Sequence, residues 1–232
     1  RIICVHLVLA SVERIESNRA SYCRVVASSY CVLLALYHKC ARGPTRLRKD
    51  AIAFAPMVDF LSERKKRAQK IVKKLRELFP GAKIVLKYSS TWELLVAVRL
   101  SAQCTDKKVN EVTERLFKKY RTLAHYVEAD PKEFEQDVKP TGFYRAKAKS
   151  ILEAAKIVKE KFGGKVPDTM ENLLTLPGIA RKSANVILGN AFGKVEGIAV
   201  DTHVMRLSQK LGLCDHKDPV KIEKDLMELL PK

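Results

Sequence analysis

The sequence predicts an all-α fold. Two observations carry that reading. From residue 57 onward, apolar residues recur at helical spacing in one segment after another, separated by short turns. No apolar–polar alternation is sustained, and no two-residue turn joins strand-like runs. A third observation concerns the partner. The chain has 232 residues, with 44 Lys and Arg against 26 Asp and Glu, a net charge of +18. It is 47% hydrophobic, enough for a globular core, and the cationic excess calls for a polyanion, nucleic acid first.

Residues 1–56 differ from the rest of the chain. They hold four of the six cysteines, no Met, and no sustained period. Two origins are open: upstream sequence translated from an over-long reading frame, with Met57 the natural start, or an Arg- and Ser-rich transit peptide. The first implies a cytoplasmic, nucleoid-associated protein, the second an organellar one. No stretch reaches the roughly 18 apolar residues of a membrane span, so no membrane partner is expected. The cysteines form no C-x-x-C pair, which leaves no readable zinc site and favours a reducing compartment.

The helices then come in order. "MVDFLSERKKRAQKIVKKLRELFPG" carries Ile71, Val72, Leu75, Leu78 and Phe79 on one stripe and stops at Pro80-Gly81. "TWELLVAVRLSAQ" is apolar. "DKKVNEVTERLFKKY" opens at Asp106, expected as its cap, with Val109, Val112, Leu116 and Phe117 inward. "DPKEFEQDVK" is short and polar. "YRAKAKSILEAAKIVKEKFGG" turns Ile151, Leu152, Ala155 and Val158 inward and ends at Gly-Gly. "TMENLLTL", "RKSANVILGNAFG", "THVMRLSQKLGL" and "DPVKIEKDLMELLPK" complete the series, for seven to nine helices in all.

The stretch "ENLLTLPGIARKSANVIL" reads as a helix–hairpin–helix. One helix ends near Leu174, Pro177 cannot continue it, and Gly178 supplies a positive φ. Ile179 plugs inward and a second helix starts at about Arg181. Amides of the hairpin and of that helix's first turn then face outward and make a phosphate site. Arg181 and Lys182 stand where a helix dipole favours acids. By spacing alone an ordinary bundle turn explains the Pro-Gly pair equally well.

Four segments in order, "LLVAVRLSAQCTDKKVNEV", "TGFYRAKAKSILEAAK", "LPGIARKSANVIL" and "IAVDTHVMRLSQKLGL", make residues 57–232 resemble the endonuclease III family of helix–hairpin–helix/GPD DNA glycosylases. The resemblance implies a multi-helical glycosylase fold, a monomer, and double-stranded DNA with damaged bases or abasic sites as partner. It implies excision of oxidised pyrimidines followed by β-elimination. The domain reading it supports has residues 57–87 as the N-terminal helix of a discontinuous second domain. A six-helix domain spans 88–200, with the hairpin motif at about 170–190, and 201–232 return to the second domain.

The same resemblance makes Lys182 the nucleophile, attacking C1′ to form a Schiff base. A lysine needs a lowered pKa for that, so burial in a cleft is expected. It makes Asp201 the catalytic carboxylate, a residue whose place before a helix also fits an N-cap. Base extrusion needs plugs for the gap. Gln103 matches the polar plug, and Phe143 stands where relatives usually carry a Leu wedge. Arg145, Lys147, Gly178, Ile179, Ala180 and Arg181 complete the expected DNA-binding set. The hairpin's second glycine is Ala180 here, expected to hold helical φ without strain.

Relatives continue into a four-cysteine loop holding a 4Fe–4S cluster, whereas this sequence ends at "LLPK", and Cys104 and Cys214 do not match the spacing. The cluster is expected in the full-length protein, with no metal ligands in the present residues; either the sequence is C-terminally truncated, the favoured explanation, or it is a cluster-less variant. Two other functions stand beside the lyase: a monofunctional mismatch or adenine glycosylase, whose adenine-removing members lack the lysine, and a non-enzymatic DNA-binding module. Lys182 argues against the first, and Lys182 with Asp201 and the flanking motifs argues against the second.

Overall fold

The computed structural model describes residues 49–230, with side chains from residue 60 onward; the expectations for residues 1–48 lie outside the described residues. The first helix, α1, spans Lys49–Leu78 and runs through Met57 without a break, so no helix boundary marks the expected start. Next come α2 (Thr91–Leu100), α3 (Asp106–Lys119), α4 (Leu123–Val127), α5 (Pro131–Val138) and, after a single 3-10 turn, α6 (Tyr144–Lys161). The chain continues through α7 (Met170–Leu174), α8 (Arg181–Ala191), α9 (Thr202–Lys210) and α10 (Pro219–Leu229). No strand occurs among the described residues, as the periodicity requires. The helix not foreseen is α4, whose five residues are too few to display a period; Thr122 caps it.

Most N-termini are closed by local chemistry. Ser90, Thr105, Asp130, Thr169, Asp201 and Asp218 each accept hydrogen bonds from first-turn amides of the helix they precede. Asp106 is not the cap of α3: Thr105 accepts from the Lys108 amide at 3.4 Å, and Asp106 is the first helical residue, where its charge still suits the dipole.

Two hydrophobic cores result. The larger is built on α2, whose Leu94, Leu95, Val96, Ala97 and Leu100 are essentially inaccessible, and is completed by α3 to α8. Each large aliphatic side chain so buried contributes roughly 1.5–3 kcal/mol. The smaller joins Ala68 of α1 to Ile198, Val200, Val204, Leu207, Leu213, Ile222 and Leu226. The described residues therefore enter the smaller core at Ala68, traverse the larger, and return through residues 198–200. In α1 the inward contact is Ala68, with Ile71 packed beside it; Leu78, expected on the buried stripe, is 43% exposed. Arg67 Nη1 donates to the Gly212 carbonyl at 3.0 Å, and Arg64 pairs with Asp215, fastening α1 to the returning segment. No helix among the described residues is long and apolar enough to cross a membrane.

Candidate nucleic-acid interface

The hairpin between α7 and α8 has the predicted turn. Gly178 has φ +77, and Ile179 points inward at 6% exposure. Two details differ from expectation. The Ile179 amide donates to the Leu176 carbonyl at 3.2 Å, so it closes the turn rather than facing a phosphate. Ala180 is extended, with φ −101 and ψ 171, not helical. It is the N-cap of α8, where extended backbone is usual, and the negative φ leaves an alanine unstrained.

An alanine has no side chain with which to cap. From α2 onward, α8 and α6 are the helices without a side-chain cap bond, and both start at predicted DNA-contact residues, Ala180 and Phe143. Their first-turn amides are met by no capping side chain. Neither helix has an acid in its first turn.

Beneath the hairpin lies Arg99, a basic residue in the last turn of the apolar α2. Its Nε donates to Ser150 Oγ at 2.8 Å, and burial lowers its pKa below the ordinary arginine value. A side chain at Gly178 would overlap this guanidinium. Gly178→Ala therefore meets both a positive φ and a held cation, and is expected to destabilise the protein by about 2 kcal/mol or more. Urea unfolding measures the loss, and an unchanged midpoint would mean that the turn relaxes freely.

Arg181 is not an unpartnered cation. Its Nε is 2.6 Å from Glu223 Oε2, whose side chain is only 7% exposed. Asn185 Nδ2 donates to Glu223 Oε1 at 2.9 Å and approaches the Ile198 carbonyl at 3.3 Å. The Glu223 hydrogen bond raises the Arg181 pKa. The cation at the start of α8 thus answers a buried carboxylate on α10 and joins the two cores. Gly197 permits this approach, since any side chain there would overlap Glu223 and Asn185.

Lys182 comes next on the open first turn and is exposed, so the expected burial is not present in the protein alone. Asp201 is partly buried and caps α9: Oδ1 accepts from the His203 and Val204 amides, each at 2.9 Å. The Asn185–Ile198 bond ties the helix of Lys182 to the segment leading to Asp201.

Gln103 and Phe143 share an unusual backbone. They are the non-glycine residues with positive φ among those described, at +53 and +47. Such strain persists only where the surroundings impose it. Gln103 is exposed, and Phe143 is 70% exposed, the highest value among the large exposed hydrophobics. Arg145 is exposed beside it, 4.0 Å from Glu135. Lys147 corrects the expectation. It is 1% exposed, and its ammonium donates to the Leu100 and Thr141 carbonyls at 2.8 and 2.7 Å, out of reach of a phosphate.

Arg99 and Glu223 were not foreseen as parts of this face. Each had a signal in the sequence, a charge on an otherwise apolar helical stripe. Four thiolates for a 4Fe–4S cluster are not found among the described residues. Cys104 packs against the larger core and Cys214 lies in the smaller, with Sγ 3.2 Å from Ser208 Oγ. No group of three or more His, Cys, Asp or Glu side chains among the described residues is arranged to hold a metal. The residues described do not fit the cluster.

Known proteins resemble this arrangement closely. Residues 96–232 match the HhH-GPD superfamily of base excision DNA repair proteins. Endonuclease III of Synechocystis sp. is 50% identical over 172 residues, covering 74% of this chain and 78% of its own. Endonuclease III of Bacillus subtilis is 49% identical over 160 residues, covering 68% and 73%. A solved non-covalent endonuclease III–DNA complex aligns with TM-score 0.69 at 44% identity, over 72% of this chain and 78% of that one. A thermostable thymine-DNA glycosylase, 20% identical with TM-score 0.62, shares the fold.

Proposed function

The chain belongs to the endonuclease III family of HhH-GPD base excision DNA repair proteins, and from that membership we propose how its residues act. The family activity is that of a bifunctional DNA glycosylase and abasic-site lyase on oxidised pyrimidines. In our reading, the neutral amine of Lys182 attacks C1′ of the extruded nucleotide. The C1′–N bond breaks, and the base leaves with the electron pair and takes up a proton. The attached nitrogen gives up a proton to the ring oxygen, and its freed lone pair forms the Schiff base as the C1′–O4′ bond breaks and the sugar ring opens. Loss of a C2′ proton expels the 3′ phosphate. Asp201 faces the sugar and stabilises the positive charge that develops on it.

The observation that carries this reading is the uncapped start of α8, with Lys182 in its first turn and no acid beside it. Phosphates take the open amides of α8 and α6, aided by Arg145. Bound DNA excludes water from Lys182, which the protein alone leaves exposed. Gln103 and Phe143 fill the gap in the stack. The two cores form the walls of the DNA groove, one protein copy per lesion, in the compartment that holds the DNA. The family carries a 4Fe–4S cluster, for which the described residues supply no ligand set.

Borohydride reduction on a duplex with one abasic site tests the proposal. A covalent adduct is expected, and mass mapping should locate it on the peptide containing Lys182. An adduct on another residue would overturn the assignment.

A further inference from the structure

The buried cation of α6 has no part in the chemistry above, yet its placement is specific. Its ammonium touches two loops at once. The Leu100 carbonyl closes α2 just before the Gln103 loop, and the Thr141 carbonyl lies two residues before Phe143. The Lys147 amide also donates to the Phe143 carbonyl at 3.1 Å. Lys147 therefore holds the Phe143 turn from both sides and ties it to the base of the other loop. Those two loops carry the positive-φ residues Gln103 and Phe143. Burying an ammonium is costly unless its hydrogens are bonded, and carbonyls at a helix end are suited to it. Below, the Lys147 carbonyl accepts from Ser150 Oγ at 2.9 Å, and Ser150 Oγ accepts from Arg99 under the hairpin. One polar network underlies all three DNA-facing loops.

We propose that Lys147 is a positioning residue for base extrusion, holding the Gln103 and Phe143 loops at one spacing so that both side chains enter the duplex together. This rests on reading those two residues as plugs. The consequence is specific to extrusion. A paired lesion must be unstacked at a cost of a few kcal/mol, whereas an unpaired one is already free. A loosened pair of plugs should therefore slow excision only where the stack resists.

The test compares single-turnover excision of one oxidised pyrimidine in a fully paired duplex and in an unpaired bubble, using the full-length protein. Lys147→Met keeps the length of the side chain and removes its donors. It should lower the paired rate about tenfold or more and the bubble rate less than about threefold. A purely structural role would lower both rates alike, along with the melting temperature, and that result overturns the proposal. Lys147→Gln carries the same comparison should the Met variant fail to fold. Phe143→Ala and Gln103→Ala separate the two ideas. If they slow paired excision while Lys147→Met does not, the inference fails and the plugs stand. If neither slows it, the plug reading fails and takes the inference with it.

Discussion

Lys182→Ala is expected to lower strand cleavage at abasic sites by at least about 10⁴-fold, about 5 kcal/mol of barrier, and to abolish the borohydride adduct. No other group is offered to form the imine, so the loss should appear in the chemical step. The side chain is exposed on the first turn of α8, so stability should hold within about 0.5 kcal/mol. Lys182→Arg separates the two things a cation could do there. Arginine keeps the positive charge near phosphate but is not deprotonated in proteins and cannot serve as the nucleophile. The Arg variant should bind abasic DNA nearly as well as the parent and cleave it no better than the Ala variant. Cleavage retained by Arg would reduce Lys182 to a phosphate contact. Single-turnover cleavage and a binding titration at fixed salt give both readings.

What the sequence made legible depended on the kind of contact. The hairpin could be placed to the residue, because Pro177 and Gly178 act through local dihedral limits. The inward faces of α3 and α6 came from period alone. Partners distant along the chain were not legible in the same way. Arg181 looked like a phosphate ligand because its neighbours are hairpin residues, but its acceptor, Glu223, lies on α10. Lys147 looked like a surface cation in a basic run. Its spacing with Ile151, Ala154 and Val158, all buried, puts it on the apolar stripe, and that period outweighs its charge. The left-handed backbone of Gln103 and Phe143 had no local signature, because neither is a residue type that favours it.

Asp201→Asn is expected to reduce base excision by about 10²- to 10³-fold while leaving the fold intact. Asp201 does two jobs. Its Oδ1 accepts from the His203 and Val204 amides, and in our reading its charge faces the sugar during excision. Asparagine caps a helix about as well as aspartate, so the substitution removes the charge and keeps the cap. Stability should change by less than about 0.5 kcal/mol. Asp201→Ala removes both, and should cost about 1 kcal/mol in addition to the same loss of rate. The defect should also depend on substrate. Excision passes through a positively charged sugar, which the carboxylate stabilises. A preformed abasic site has already lost its base, so imine formation there should suffer less than excision. Single-turnover excision, borohydride trapping at an abasic site and urea unfolding, measured on both variants, separate the two roles. An Asn variant that excises at the parental rate would leave Asp201 as a helix cap alone.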